Sequence, residues 1–169
     1  MIINKKEQQQ LVDLLKQLEP GFLPYDIFVQ IARLVVMPII EFVPLRMNGG
    51  NVEVLLLHRG KDDQIWPDEW HTPGTVIRAT DNQAEIYKAF ERIIKDELKN
   101  TKVTDGHFVG TIFHSSKRGM EHSQVFWVEV LGEPKAGKFY PTDNLPDSLM
   151  VSQRKFINQA VKNFSLSRG

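Results

Sequence analysis

Two adjacent carboxylates, Asp96 and Glu97, stand near the end of the most regular helical pattern in the sequence, residues 84–99. When successive side chains are placed about 100° apart around this helix, Glu97 falls between Ile86 and Phe90 in the middle of the apolar face. A carboxylate on the core side of a helix is costly unless it is paired, protonated or bound to a cation. The helix dipole also disfavours negative charge near a helix C-terminus. The pattern therefore indicates a compensating cation, either a basic side chain or a metal ion.

A simpler interpretation of Glu97 stays open. The end of the helix can protrude from the protein, in which case Glu97 is solvated or pairs with an ordinary lysine or arginine. Structural ion pairs of this kind are common in proteins and perturb carboxylates without any catalytic role. The choice between the two interpretations depends on the elements that surround the helix and on the other motifs in the chain.

The surrounding elements indicate an α+β protein in which a mixed β-sheet packs between helices. Leucines at positions 11, 14, 15 and 18 follow the i, i+3, i+4, i+7 spacing of an amphipathic helix that ends at Pro20-Gly21. Pro24 opens a second helical pattern. We expect residues 1–35 to form an N-terminal helical extension that packs on a domain of residues 36–169. The predicted strands are residues 39–46, 52–59, 111–114 and 124–131, with a hairpin turn at 48–51. Short extended pieces are expected at 70–77. The final predicted helix carries five apolar residues on one face, namely Phe156, Ile157, Ala160, Val161 and Phe164.

The composition excludes several classes of function. The chain has 169 residues, of which 41% are hydrophobic and 25% are charged, as in an ordinary folded protein of one domain. Its 21 basic and 21 acidic side chains balance, and this neutrality argues against nucleic acid as a partner. The absence of cysteine excludes disulfides and thiolate chemistry. Because we find neither a secretory signal nor an apolar run of membrane-spanning length, we expect a cytoplasmic protein with no membrane partner.

The loop at residues 70–76, followed by the helix at residues 89–98, resembles the Nudix box. That family motif reads G-x5-E-x7-R-E-U-x-E-E-x-G-U, where U is a bulky aliphatic residue, and it forms a loop–helix–loop that binds magnesium or manganese. The resemblance implies a Nudix-like α/β/α sandwich. The matching positions are Arg92 for the motif arginine, Ile94 for the aliphatic residue, and Asp96 and Glu97 for the acidic pair.

Three positions depart from the standard box. Ile93 stands in place of the first glutamate of the helix, Lys99 in place of a glycine, and Thr75 in place of the second glycine of the loop. The GDP-mannose mannosyl hydrolases, a Nudix subgroup, carry an A-F-E-R run followed by a single E-L and lack the same first glutamate. Residues 89–98 are similar to that subgroup, and the similarity extends over roughly residues 26–164.

The resemblance implies a divalent metal ion, Mg²⁺ or Mn²⁺, as the cofactor. Glu97 would be the principal ligand, with Asp96 assisting directly or through water. The backbone carbonyl of Gly74 would be another ligand, and Glu133 a further one. Magnesium prefers such a set, because it binds a few hard oxygens together with water and substrate phosphates.

The sequence does not identify which residue would act as the general base. The mannosyl hydrolases have a glutamine ligand followed by a histidine base at the position where this chain has Glu133 and Pro134. Proline cannot accept a proton, so His114 and His122, the imidazoles near that end of the predicted sheet, are the candidates. Both also fit an ordinary role in a strand or loop.

Two arginines are candidates for contact with substrate. Arg59, at the end of a predicted strand, would contact phosphate oxygens, whose geometry suits a guanidinium. A plain surface arginine at a strand end is the alternative. Arg92 either contacts substrate or holds the loop of the box through an ion pair.

These features predict a metal-dependent hydrolase of a nucleoside diphosphate linked to another moiety, plausibly a nucleotide sugar. The alternative is a catalytically impaired Nudix-fold protein that binds a nucleotide-like ligand or a partner without turnover. In a third interpretation the cleft is an interaction surface with no small ligand. Dimers are frequent in the resembling subgroup, so a homodimer is expected.

Overall fold

A computed structural model describes residues 3–81 and 87–168. The helices in these residues are α1 (Lys5–Leu15), α2 (Tyr25–Leu34), α3 (Tyr87–Arg92) and α4 (Val151–Leu166), and the strands are β1 (Met37–Asn48), β2 (Asn51–His58), β3 (Trp70–His71), β4 (Gly74–Val76), β5 (His107–Ser116), β6 (Gly119–Glu129) and β7 (Lys138–Pro141). The strands form one sheet in which β1 and β6 run parallel and the other paired strands run antiparallel. This architecture confirms the predicted mixed sheet between helices. No helix in the described part of the chain is long and apolar enough to cross a membrane.

The two faces of the sheet bury separate apolar cores, because successive strand residues point to opposite faces. On β1, Val43 and Leu45 face α4, whereas Ile40 and Phe42 face α3. On the α4 side, the core is closed by the apolar helix face that the sequence predicts. Four residues of this face are fully buried, namely Phe156, Ile157, Ala160 and Phe164, and Val161 is partly buried.

Strand β1 has two different antiparallel neighbours along one edge. Residues 45–48 pair with β2 through the predicted turn, in which Gly49 and Gly50 have φ angles of 56° and 86°. Positive φ at both turn positions is costly for residues with a Cβ, so the glycines suit this tight hairpin. Residues 39–41 pair instead with β4. Between these two pairings, residues 42–44 of β1 pair with neither β2 nor β4.

The central helix differs from the prediction in its last turn. Residues 84–86 of the predicted span lie outside the described residues. After Arg92 the helix continues as a π-helical turn, Ile93–Glu97, in which the amide of Leu98 donates to the carbonyl of Ile93 at 2.9 Å. Lys99 then adopts a φ of 51°, so the position that holds a glycine in the Nudix box has the left-handed backbone conformation that glycine favours.

Several predicted boundaries were wrong. Helix α1 ends at Leu15, before the predicted Pro20-Gly21, and it contains no buried residue. Both strands of the β5–β6 hairpin extend further toward their connecting turn than predicted, because backbone pairing there does not need apolar side chains. Strand β7 was not predicted, since it lies at the end of a stretch rich in proline and glycine.

Helix α2 packs on the edge of the sheet at two places. Ala32 is buried in a small cluster with Met37 and Ile39 of β1, and Phe28 and Val76 pack against that cluster. The second contact is with the turn between β5 and β6. A Cβ at Gly119 would lie 2.4 Å from the carbonyl oxygen of Ala32, so only glycine allows this close approach.

We predict that the contact between α4 and the sheet supplies a large share of the stability. Phe156 is fully buried, and its ring meets the imidazole of His114 edge-on at 5.2 Å. Phe156→Ala should lower the free energy of unfolding by about 3–5 kcal/mol, because it leaves a cavity in a packed core. Urea denaturation measures this, with exposed Lys155→Ala as the control that should change it by less than about 0.5 kcal/mol. Equal effects of the two variants would contradict the assignment of α4 to the core.

Candidate functional site

A cleft of about 230 Å³ lies beside β1 and β4. Charged side chains from five separate parts of the fold meet in it: one from β1, one from β6, one from the π-helical turn, one from the end of β2 and one from the β5–β6 turn. We call this site the charged cleft. Its carboxylates are Glu41, Glu97 and Glu121, and its guanidinium groups are those of Arg59 and Arg118.

Glu41 is the most deeply placed of these carboxylates. Its side chain lies against Gly74, where an added Cβ would be 2.6 Å from Glu41 Oε2, so the glycine makes room for the carboxylate. Burial raises the pKa of Glu41 to about 8. A hydrogen bond from Thr72 opposes this increase in pKa, and the negative charge of Glu121 adds to it. Glu41 is therefore able to hold a proton near neutral pH.

The Thr72 hydroxyl lies between two acceptors, Glu41 and Gln153. The Thr72 hydroxyl lies 3.1 Å from Glu41 Oε2 and also contacts Gln153 Oε1. The Thr72 amide donates to the same Gln153 oxygen at 3.3 Å, which identifies that oxygen as an acceptor. One hydroxyl has one proton to donate. Thr72 therefore donates its hydroxyl proton either to Gln153 or to Glu41 at any one time, and only the bond to Glu41 lowers the pKa of that carboxyl.

Glu121 and Arg118 form a buried ion pair in the wall of the charged cleft. Arg118 Nη2 and Nε donate to Glu121 Oε1 at 2.6 Å and 3.0 Å, and the hydroxyl of Ser116 donates to the same oxygen at 2.8 Å. The Arg118 guanidinium also lies 4.8 Å from the centre of the Trp66 ring. Arg118 is thus held in position while its charge borders the cleft.

Arg59 retains an unused hydrogen-bond donor. Its Nη1 donates to Asp63 Oδ2 at 2.9 Å, and its guanidinium lies 5.1 Å from the centre of the Trp66 ring. Its Nε is buried and has no hydrogen-bond partner among the described residues. A buried polar group without a partner is costly. An anionic ligand in the charged cleft would satisfy it.

Glu97 lines the charged cleft, at the position that the helical pattern singles out. Burial raises the pKa of Glu97, and the positive charges of Arg59 and Lys99 oppose that increase. The structure does not bring Asp96 to the same place, because its side chain is exposed and does not line the cleft. Only one carboxylate of the predicted pair faces this site.

The other predicted residues divide between the charged cleft and its surroundings. Gly74 and Arg59 line the cleft. Arg92 lies outside it and makes a bidentate ion pair with Asp81, which closes the loop of the box. Glu133 is exposed in the segment between β6 and β7 and is not brought to the cleft.

The two candidate histidines lie on opposite faces of the sheet. His114 points toward α4, with Nε2 at 3.0 Å from the Ser123 hydroxyl and 3.7 Å from Glu121 Oε2. It supports a wall of the charged cleft without lining it. His122 points away from Glu121 and Ser123, and its ring lies 6.0 Å from that of Phe113.

Reasoning from the sequence missed one histidine that does line the charged cleft. His71 is buried, and burial, followed by the charge of Arg59, lowers its pKa to about 4. Its Nδ1 lies 2.8 Å from the carbonyl oxygen of Thr72, so Nδ1 carries the proton and Nε2 keeps its lone pair. His71 is a neutral hydrogen-bond acceptor.

Sequence reasoning also missed Glu41, Glu121 and Arg118. A signal for Glu41 was present, because a single glutamate interrupts the otherwise apolar start of β1. Glu121 and Arg118 lie in the part of the β5–β6 hairpin that was not predicted as strand. No local pattern there indicates that their side chains turn toward β1.

The donor set of the charged cleft suits a hard divalent cation that also binds phosphate. In the described ranges, no three histidine, aspartate or glutamate side chains are grouped closely enough to hold a metal ion on their own. Magnesium does not need such a cage, because one or two carboxylates together with substrate phosphates and water suffice. Glu41 and Glu97 supply two such carboxylates. Burial disfavours the negative charge of each, and a cation would offset that cost.

Comparison with known proteins identifies the fold. No protein-family model matches the sequence, and no curated protein is significantly similar to it. Among solved structures, a mutT/nudix family protein from Listeria innocua is similar, with a TM-score of 0.60 and 15% identity over 78% of this chain and 95% of that chain. The NUDIX domain of Shewanella oneidensis NrtR, complexed with ADP ribose, has a TM-score of 0.58 and 14% identity over 96% of this chain and 99% of that chain. The chain has the Nudix fold.

A third Nudix-fold structure, the Ap4A hydrolase of C. elegans, aligns with a TM-score of 0.54 and 15% identity over 80% of this chain and 100% of that chain. The alignment with NrtR extends over almost the whole chain. The Nudix fold expected from the box is thereby confirmed. These similarities do not single out the mannosyl hydrolase subgroup.

We predict that Glu41 lowers the free energy of unfolding as the pH rises. Its pKa is about 8 in the folded protein against 4.5 for a free side chain, so the folded state holds a proton that the unfolded state releases. The resulting stabilisation is complete below pH 4.5 and is lost as the pH rises through about 8. Since the lowered pKa of His71 acts in the opposite direction only between about 4 and 6.5, pH 6.5 to 8 is the informative interval.

Urea denaturation at several pH values in this interval measures the effect. Glu41→Gln should flatten the decline in the free energy of unfolding. Glu91→Gln, an exposed glutamate on α3, should leave it unchanged. A Glu41→Gln protein with the same slope as the wild type would contradict the raised pKa.

Proposed function

We propose that this protein hydrolyses the diphosphate linkage of a nucleoside diphosphate derivative in the charged cleft, with a divalent metal ion. The observation that carries the proposal is the convergence of three carboxylates and two guanidinium groups in one cleft of a Nudix fold. Guanidinium groups suit phosphate oxygens, and carboxylates suit a hard cation. The site thus offers partners for both components of a metal-bound diphosphate.

In this proposal the metal ion, Mg²⁺ or Mn²⁺, is held by Glu97 and the carbonyl of Gly74, with Glu41 as a further ligand. Asp96 and Glu133, the other ligands expected from the family resemblance, lie outside the charged cleft, so a role for Asp96 would be through water. When bound, such an ion offsets the negative charge of the phosphates and of the leaving group. Metal binding would also lower the pKa of Glu41 and release its proton.

The phosphates are proposed to bind Arg59 and Arg118. The buried Nε of Arg59 has no partner in the part of the chain that the structure describes, and Arg118 is held at the cleft by its ion pair with Glu121. Arg92 is proposed to act indirectly, because its contacts with Asp81 and with the carbonyl of Val76 fix the loop that follows β4. Its own charge does not line the cleft.

The substrate that we propose first is a nucleotide sugar, as in the mannosyl hydrolases that residues 89–98 resemble. ADP ribose, with which the similar NrtR domain was crystallised, belongs to the same chemical class. The base that activates water is not assigned to His122, whose ring lies on the far side of the sheet from the cleft. His114 reaches the cleft only through its contact with Glu121.

A second candidate function is binding of such a ligand without turnover. It is favoured by Ile93, which stands at the first glutamate of the box and is fully buried in the core, so it supplies no oxygen to a metal. An assay for the nucleotide products distinguishes the two functions, because only a hydrolase releases products.

Broader properties of the protein are also proposed. We propose that residues 1–35 act as an extension of the domain, that the protein forms a homodimer, and that it works in the cytoplasm. NrtR has also been crystallised with a 27mer DNA. For this chain we propose a small-molecule partner, because its 21 basic side chains are balanced by 21 acidic ones.

The direct test is hydrolysis of GDP-mannose, ADP ribose and Ap4A with Mg²⁺ or Mn²⁺, followed by chromatography of the nucleotide products. Glu97→Gln should lower kcat by at least about 100-fold, since loss of a metal ligand costs more than loss of a residue behind it. Its melting temperature should not fall, because burial already disfavours the charge on Glu97. Glu91→Gln on the same helix is the matched control and should retain full activity.

Three outcomes separate the interpretations. Metal-dependent turnover that Glu97→Gln abolishes without a loss of stability supports the hydrolase. Binding of these nucleotides without products from the wild type would replace it by the second candidate. A lower melting temperature in Glu97→Gln, without any nucleotide binding by the wild type, would assign Glu97 to a structural ion pair.

A further inference from the structure

A second cavity, of about 450 Å³, lies on the other side of β4 from the charged cleft. It is bounded by the linker at residues 20–23, the first turns of α2, and residues 77–79 after β4. We call it the apolar groove. Its size falls within the range of small-molecule sites, which are mostly apolar with a few polar groups.

The apolar groove and the charged cleft share a wall. Thr75 and Val76 of β4 line both cavities. A ligand with its phosphates beside Gly74 needs to cross only this short strand to reach the groove. The groove is therefore placed to receive a second part of whatever binds in the cleft.

The walls of the groove favour a flat, apolar group. Phe22 is 80% exposed and Tyr25 is 41% exposed, although aromatic side chains usually bury most of their surface. The guanidinium of Arg78 lies 5.5 Å from the centre of the Phe22 ring. Among the described residues, no carboxylate lines the groove. A hexose with many hydroxyl groups would find few partners here, whereas an aromatic ring would find a stacking surface and a cation.

The wall formed by α2 is fixed in position before any ligand binds. Phe28 packs on the cluster of Ala32, Met37 and Ile39, and Gly119 holds the helix backbone against the β5–β6 turn. A preformed wall reduces the cost of ordering side chains on binding. Phe22, in the linker before α2, is positioned to complete the stack.

We propose that the apolar groove binds the nucleobase of a nucleoside diphosphate whose phosphates occupy the charged cleft. This inference rests on the proposed function and orients the ligand within it. The base stacks on Phe22 beside Arg78, and the diphosphate crosses β4 toward Arg59. The group on the far side of the diphosphate, a sugar for example, stays in the charged cleft, where polar side chains surround it.

One other occupant has to be distinguished. Helix α1 carries an apolar stripe that buries none of its residues, with Leu11 48%, Leu14 62% and Leu15 45% exposed. The same stripe from a second copy of the chain is an alternative occupant of an apolar groove. Such an occupant predicts a dimer that depends on Phe22, whereas a nucleobase predicts affinity that depends on Phe22.

The test compares ligands with and without a base, using calorimetry in the presence of Mg²⁺. The probes are ADP, GDP and inorganic pyrophosphate, and the variants are Phe22→Ala and Phe22→Trp in the full chain. Phe22→Ala should weaken the binding of ADP or GDP about tenfold, a change that lies within the range of base stacking on one aromatic side chain, and Phe22→Trp should restore it. Pyrophosphate should bind equally to all three proteins. Phe113→Ala, which removes another exposed phenylalanine from β5, is the matched control and should bind every probe as the wild type does.

The remaining outcomes overturn the inference in distinguishable ways. If ADP and GDP bind the wild type and Phe22→Ala equally, the groove does not hold the base, while the proposed function stands. If neither nucleotide nor pyrophosphate binds the wild type, the proposed function fails together with the inference. If sedimentation shows a dimer that Phe22→Ala dissociates while nucleotide affinity is unchanged, the groove belongs to α1 of a second copy.

Discussion

The divided pairing of β1 is the constraint on which the rest of the structure depends. One edge of this strand pairs with β6 along Met37–Leu45, while its other edge pairs with β4 at residues 39–41 and with β2 at residues 45–48. Residues 42–44, between these two stretches, pair with neither β4 nor β2. Glu41 is the last residue of β1 that pairs with β4; it lies opposite Gly74, which provides the space for its carboxylate. The pairing of β1 with β4 thus places Glu41 and Gly74 side by side in the charged cleft.

Charge in this cleft is balanced by groups that the folding of distant segments brings together. Glu121 has its counterion in Arg118, and Arg59 has one in Asp63. Glu41 and Glu97 have no salt-bridge partner among the described residues, and burial raises the pKa of both. The unbalanced part of the site is therefore acidic and lies on the side of Gly74. The buried Nε of Arg59 leaves a complementary donor for an anion. A metal-bound diphosphate carries both kinds of partner.

Periodic patterns in the sequence predicted those features that depend on local geometry. Leucine spacing located α1, paired glycines located the β1–β2 turn, and helical periodicity directed Glu97 to the core side. The π-helical turn was not predicted, since hydrogen bonds to the fifth residue leave no residue-type signature. Glu41 and Arg118 were not predicted as site residues. The place of Glu41 depends on strand pairing, and that of Arg118 depends on a side chain that reaches from one element to another. Local patterns do not contain that information.

The close approach of Gly119 to Ala32 has a mechanical consequence. The β5–β6 turn carries Arg118, whose guanidinium borders the charged cleft and also lies 5.6 Å from the ring of Phe28 on α2. Helix α2 in turn forms a wall of the apolar groove. Because no free space is left between the glycine and the helix backbone, a residue with a Cβ at position 119 would force the β5–β6 turn away from α2. Arg118 would then move away from Phe28, and the walls of both cavities would be displaced together.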